Sequence, residues 1–557
     1  MRKDRRKEKK INIPNIIKVV IFLILIIFVF NVSPNYVRNE RKDKINLIIN
    51  NNNVTVRLKN DLYINEKNVI YMSFADVNNY LDKYIYYDKT ENQIITTYGE
   101  KIAVLPLDKN LIIINNSTFN LLSGVEVKNE VVYLPISQMA NVYNMEMTYL
   151  TKEKTLILDS LEKELIKADA RKNLNLKYKA TIFSGTLDKI TKGDKVNIIK
   201  QENGWTKIRT ARGKIGYVKT SNLQNEYYVR QNLEMETTNE KINMVWDYYS
   251  EYATAPNRNG TTIEGVNVVS PSFFSLVKKG DGKLNNNVGT NGINYINWAK
   301  QSGYKVWAMV SNNSYRETTS TVLNSYELRT NLINDIVKLA NQYNLDGINI
   351  DFENMNESDK EMFSRFIIEL EPKLKEAGKT LSVDVTAPDG GETWSMCYDR
   401  NVIGDVADYI VFMAYDQYGS SSPKEGTTAG YNWVETNLKK FIDREEIDSD
   451  KIILGIPLYT RLWKEENGKI TSKTVNIKDV DSILPNGVNK SWNDELKQNY
   501  VEYTQDGAIY KMWIEDEMSI KEKVDLVNKY NLAGTAAWEK DRESANIWTV
   551  INQTLKH

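Results

Sequence analysis

The chain has 557 residues, more than one hydrophobic core can serve, so about two to four domains are expected. Its 73 basic and 73 acidic side chains cancel, which leaves no global positive field to hold nucleic acid. One cysteine, Cys397, and one histidine, His557, exclude an intramolecular disulfide, a zinc cluster, a thiol redox pair and a Ser-His-Asp triad. Chemistry therefore falls to carboxylates, tyrosine and lysine, with no metal and no cofactor expected.

The N-terminus predicts an export element. Met1–Lys10 is dense in Arg and Lys, and Ile16–Val32 is apolar apart from Lys18 and Asn31. A run of roughly 17–20 apolar residues spans a bilayer as a helix. Its basic flank stays in the cytoplasm, which sends the remainder outside. Asn31-Val32-Ser33-Pro34-Asn35 offers no small-residue cleavage site. The expectation is a cytoplasmic tail at 1–15, an uncleaved single-pass membrane anchor at 16–32 and a linker at 33–53, with the other domains extracellular. Cleavage and secretion to the wall is the alternative. Export without disulfides fits a bacterial surface.

Residues 54–160 are rich in short β-like runs separated by turns, such as Val54-Thr55-Val56-Arg57-Leu58 and Val131-Val132-Tyr133-Leu134. They predict a small α+β domain. A strand feeding a short helix occurs twice, at Tyr71-Met72-Ser73-Phe74-Ala75-Asp76-Val77 and at Leu134-Pro135-Ile136-Ser137-Gln138-Met139-Ala140. This repetition resembles the copper amine oxidase N-terminal-like domain. No His lies between Val54 and Leu158, so copper is not implied, and the expected role is spacing or wall attachment.

Leu161–Ala170 reads as a short helical linker. Residues 172–225 then form a second β unit, with Gly193-Asp194-Lys195-Val196, Gly204-Trp205-Thr206-Lys207-Ile208 and Gly213-Lys214-Ile215-Gly216-Tyr217-Val218 as its strands. The pattern resembles the bacterial SH3-like domain, a small β-barrel. That family's ligands imply cell-wall peptidoglycan as a partner. Trp205 and Tyr217 fit either a core or a ligand-facing place. The polar stretch 226–240 reads as another linker.

From 241 to 557 strand-like and helical runs alternate, which predicts a parallel sheet of barrel size. Seven strands are visible: Gly265–Ser270, Lys305–Val310, Gly347–Glu353, Leu381–Thr386, Tyr409–Tyr415, Ile452–Pro457 and Gly534–Trp538. The missing one is sought within Gly282–Val288. Thr330–Tyr343 and Asp359–Ala377 carry apolar residues at helical spacing, the latter stopped by Gly378. Trp463–Met512 breaks the alternation as a small α+β insertion.

The stretch Leu345-Asp346-Gly347-Ile348-Asn349-Ile350-Asp351-Phe352-Glu353 concentrates the chemistry. Alternation along a strand puts Asn349, Asp351 and Glu353 on one face and Ile348, Ile350 and Phe352 on the other. Carboxyls in a row shift one another's pKa values, so one can stay protonated near neutral pH and serve as a general acid.

These residues resemble the D-G-x-D-x-D-x-E signature of glycoside hydrolase family 18, chitinase-like enzymes whose motif ends the fourth strand of a (β/α)8 TIM barrel. Asn349 stands where the middle Asp is usual. Met413-Ala414-Tyr415-Asp416 resembles the family's M-x-Y-D motif. Gly455-Ile456-Pro457-Leu458-Tyr459-Thr460-Arg461-Leu462-Trp463 is similar to its G-x-P-x-Y-G-R-x-W run, with Thr460 for Gly, and Trp307 and Trp538 match the third and eighth strands. D-G-x-N-x-D-x-E is the form familiar in the spore-cortex and cell-wall branch.

The resemblance implies cleavage of an N-acetylglucosamine-containing polysaccharide with retention, the substrate's own acetamido oxygen acting as nucleophile. It implies Glu353 as acid and base, Asp351 as stabiliser of the oxazolinium, and Tyr415 as holder of the acetamido carbonyl. Asn349 would hydrogen-bond Asp351, and Trp538 would floor the sugar. Asp416, Met413, Tyr459, Arg461 and Trp307 are the further substrate-binding candidates, with Arg461 equally readable as a rim brace. A catalytically inactive sugar-binding wall protein is the alternative.

Overall fold

A computed structural model describes residue 20 and residues 43–231 and 240–556. The tail at 1–15 and, Val20 apart, the anchor at 16–32 lie outside the described residues. Among the described residues no helix is long and apolar enough to cross a membrane. The chain divides into two compact units, one of Met1–Tyr98 with Ala103–Glu236 and one formed chiefly by Thr237–His557.

The first unit holds two β-rich modules. The leading one begins earlier than expected, because Asn46–Ile49 is a fully buried strand inside the expected linker and pairs in parallel with Thr155–Ser160. Ser73 caps the helix Phe74–Tyr80 by accepting the Asp76 N–H. The expected helical linker is also corrected: Leu165–Ala170 is a strand between Lys195–Glu202 and Leu223–Arg230. Ala168 and Ala170 both point into the core, a period of two that pairing enforces over the helical preference of the local Glu and Lys. The strand Leu223–Arg230 likewise extends into the stretch expected as linker.

Arg209 clasps Asp159 across the two modules with both guanidinium nitrogens. Gly213 packs against Ile48, Leu150 and Thr155, each 3.4 Å from where its Cβ would lie. A cavity of 510 Å³ beside this junction is lined by Arg57, Lys179, Lys207 and Lys214 and by Tyr178 and Tyr217.

The second unit is a closed barrel of eight parallel strands: β1 (Ile242–Asp247), β2 (Val268–Pro271), β3 (Lys305–Ser311), β4 (Gly347–Asp351), β5 (Thr380–Val385), β6 (Tyr409–Met413), β7 (Ile452–Pro457) and β8 (Gly534–Trp538). Pairing of β2 with β3 and of β8 with β1 closes the ring. The strand missing from the sequence reading is β1. Its six residues are all buried, so it shows no alternation. Leu284–Asn286, in the window searched instead, only forms a hairpin with Phe274–Leu276.

Two cores follow from the alternation. Met244, Trp246, Val268, Trp307, Met309, Val411, Ile453 and Ala536 fill the barrel. Ile348, Ile350 and Phe352 face outward against the helices, where Phe352 stacks on Phe366 at 5.5 Å. The helices run close to expectation, at Tyr326–Gln342 and Lys360–Glu376, the latter ended by Gly378 at φ +66°. Between β7 and β8 lies the insertion, a five-stranded antiparallel sheet with a short helix, Val480–Ile483.

Candidate active site

Apart from Asp346 and the displaced Trp307, the candidate residues gather toward the C-terminal mouth of the barrel, where strand ends and the loops after them converge. β4 delivers Asn349 and Asp351 on its inner face, with Glu353 two residues beyond. Gly347 is required at the base of this strand. A Cβ there would lie 2.6 Å from Trp307 Cδ1 and 2.8 Å from the Thr380 carbonyl oxygen. Asp346 is structural: its carboxylate accepts the Val306 N–H at 2.9 Å and so locks β4 to β3. The backbone of Glu353 is held in both directions by the buried Asn312 amide, which accepts its N–H at 3.0 Å and donates to its carbonyl at 2.8 Å.

Asn349 is fully buried and its four hydrogen-bonding positions are filled. Oδ1 accepts from Trp246 Nε1 at 2.9 Å and from Ser270 Oγ at 3.2 Å. Nδ2 donates to Ser382 Oγ at 3.1 Å and to Asp384 Oδ1 at 2.7 Å. The expected bond from Asn349 to Asp351 is thereby corrected, since neighbours on β1, β2 and β5 saturate the amide.

Asp351 and Glu353 are partly buried in the floor of the mouth. Burial pushes the Asp351 carboxyl up to about 7. Burial, then the negative charges of Asp351 and Asp416, push Glu353 up to about 8. Burial first, then Asp384, Tyr459, Glu353 and Asp351, hold the Tyr415 phenol well above its usual value, so its O–H remains a donor. Its ring meets Trp246 edge-on at 6.4 Å, and Trp538 meets Trp246 at 5.7 Å. Met413 is buried at the end of β6.

Asp416 is exposed, with φ +54° in the left-handed region that Asp tolerates. Its Oδ1 accepts from Tyr459 Oη at 2.7 Å and from an Arg461 guanidinium nitrogen at 2.9 Å. Tyr459 and Arg461, both buried, therefore reach the site through Asp416, and Arg461 is a brace. Trp307 is not brought to the site. It lies at the opposite end of the barrel, stacked on Tyr409 at 5.5 Å, because it occupies the start of β3.

The sequence reading missed Trp246, Ser270, Asn312 and Asp384, whose contacts exist only once strands are paired. It also missed two exposed aromatics, Tyr248 after β1, 5.7 Å from Trp538, and Trp394 after β5.

The sequence profile of glycosyl hydrolases family 18 matches residues 244–543, more than half of the chain. The chain belongs to glycosyl hydrolase family 18. The family's members are glycosyl hydrolases, and this chain is one of them. Residues 172–224 match the bacterial SH3 domain and residues 48–158 the copper amine oxidase N-terminal domain. The uncharacterized glycosylase YvbX of Bacillus subtilis is 26% identical over 305 residues, covering 52% of this chain and 85% of that protein. The cortical fragment-lytic enzyme of Bacillus anthracis is 22% identical over 296 residues, 50% of this chain and 66% of that protein. A chitinase structure from Chromobacterium violaceum shares the fold, with a TM-score of 0.51 at 24% identity over 57% of this chain and 99% of that one.

Proposed function

We propose that this protein is an exported hydrolase that cleaves β-1,4-linked N-acetylglucosamine polymers, peptidoglycan or spore cortex foremost, by a substrate-assisted retaining mechanism. The carrying observation is Glu353, fixed through its backbone by Asn312 and held protonated near neutral pH by burial and two neighbouring acids.

Glu353 gives its proton to the glycosidic oxygen as that bond breaks. The acetamido oxygen closes on the anomeric carbon and forms an oxazolinium ion. Asp351 accepts the acetamido N–H and balances the positive charge. Tyr415 donates its O–H to the acetamido oxygen and aligns it. Glu353, now a carboxylate, takes a proton from water; the hydroxide adds to the anomeric carbon and reopens the ring. Trp538 floors the cleaved sugar, Met413 lines its pocket, and Asp416, braced by Tyr459 and Arg461, contacts its hydroxyls.

Peptidoglycan or spore cortex is preferred over chitin because a relative is named a cortical fragment-lytic enzyme and because the SH3-like module accompanies the barrel. The cationic cavity beside that module is suited to wall polymers with negative charge. The basic Met1–Lys10 and apolar 16–32 segments support tethering to the membrane, which raises enzyme concentration at the polymer. N-terminal sequencing of the mature protein checks the tether, and a start beyond Val32 contradicts it.

Glu353→Gln tests the reaction. It should lower hydrolysis by about 10²–10⁴-fold while sugar binding survives. Near wild-type turnover would remove the assignment. A wild-type protein that binds oligosaccharides without cutting them would establish the sugar-binding alternative. Mass spectrometry of products from peptidoglycan and from chitin oligomers then identifies the polymer.

A further inference from the structure

Asn349 leaves β4 without the acid that the family motif carries between Asp346 and Asp351. The pairing of β4 with β5 shows where another acid stands. Asn349 lies beside Ser382 and Ile350 beside Val383. One residue further along both strands, Asp351 comes level with Asp384. Residues at one level on adjacent strands are separated by roughly 5 Å, the strand spacing, and alternation places both side chains on the inner face.

Asp384 is 1% exposed, and no lysine or arginine pairs with it among the described residues. The acids facing it are Asp351 and Glu353, and the other groups around it are the Asn349 amide, the Trp246 indole and the Tyr415 phenol. Asp416, Tyr398 and Tyr248 face Asp351 or Glu353 from further out, and none of them supplies a cation. Neighbouring buried carboxyls without a cation do not both ionise, so they hold a proton between them.

A chain of donors fixes which oxygen of Asp384 is free to carry that proton. The Trp246 indole can only donate, so the Asn349 atom facing it is the oxygen. The amide nitrogen must then point to Asp384 and Ser382. The donor occupies Asp384 Oδ1, so a proton carried by Asp384 sits on Oδ2. Asp384 is more deeply buried than Asp351, and burial followed by the charge of Asp351 raises it well above the usual carboxylate range against the opposing pull of the Asn349 and Trp246 donors.

We infer that Asp384 is the relocated acid partner of Asp351, standing on β5 instead of β4 and holding the proton that the pair shares. Asp384 is a positioning residue. With the proton on Asp384, the negative charge is confined to Asp351, where the acetamido N–H and the oxazolinium need it. The proton stays within the pair throughout, so the reaction's proton balance is carried by Glu353 and water. The inference rests on the roles given above to Glu353 and Asp351.

The kcat–pH profile of the full chain tests it. Asp384→Asn keeps the shape and a donor beside Asp351 but removes the exchangeable proton, and it should move the acid limb to lower pH. Asp384→Ala removes the donor as well, and it should raise that limb and lower kcat about 10²-fold. Adding Asn349→Asp to Asp384→Ala returns a carboxyl to the cluster and should recover both. An acid limb unmoved in Asp384→Asn, or a folded Asp384→Ala enzyme that Asn349→Asp does not rescue, overturns the inference. If the Ala variant does not fold, the Asn variant decides. Glu353→Gln assayed alongside separates the failures. Activity surviving there removes the proposed reaction; activity lost there with an unmoved limb in Asp384→Asn removes only the relocation.

Discussion

Two buried groups of charged residues in the barrel unit solve opposite problems. Outside the barrel, Arg329 on the helix Tyr326–Gln342 grips Glu369 on Lys360–Glu376 through Nε at 2.9 Å and a second nitrogen at 3.1 Å, with Arg365 Nε 3.0 Å from the same carboxylate. Arg329 and Glu369 are each 1% exposed. Inside the mouth, Asp351, Glu353 and Asp384 are packed together with no cation beside them among the described residues. Paired charges there join two helices; unpaired like charges here keep protons on carboxyls at neutral pH. Burial of an acid is thus uninformative until its neighbours are named.

Breaking the paired group should have the largest effect on stability. Glu369→Ala leaves Arg329 buried without its bidentate partner, and is expected to cost about 3–5 kcal/mol in denaturant unfolding of the barrel.

The unpaired group should respond in the other direction. Glu353 is raised to about 8 in the folded chain, so between its unfolded value and that pH the folded state binds more protons than the unfolded one. Stability then falls as pH rises through that window. Glu353→Gln removes this dependence. The variant should melt above wild type at pH 8 and close to it at pH 4, as read by thermal unfolding at the two values. A variant less stable than wild type at pH 8 would contradict the unpaired reading.

The smallest expected effect sharpens the division between holding sugar and cutting it. Trp538→Ala should raise KM about tenfold, the worth of one aromatic contact, and change stability little, because the ring is partly exposed, meets Trp246 edge-on and lies tilted against the exposed Tyr248.

The same contrast explains what could be read in the sequence. Asp351 and Glu353 were legible because β4 is amphipathic in its alternation and carries a motif. Tyr415 and Asp416, just past β6, and Trp538, ending β8, were legible because they follow runs that read as strands and carry motifs. Trp307 misled because a match to the third strand does not say which end of that strand bears the residue. β1 was missed because a strand buried on both faces has no period. Asp384 was missed because one acid in Leu381-Ser382-Val383-Asp384-Val385 carries no signal until β5 is set beside β4. The strand Leu165–Ala170 was misread because pairing, absent from the sequence, overruled local propensity.

The central claim is that the substrate supplies its own nucleophile while Glu353 handles the proton. A matched pair of β-1,4-linked oligosaccharides, identical except for an acetamido or a free amine on the sugar at the cleaved bond, tests this most directly. The acetylated substrate should be cut with retention and the free amine left intact at that bond. Equal cleavage of both, or a trapped covalent glycosyl ester on Asp351, would contradict it.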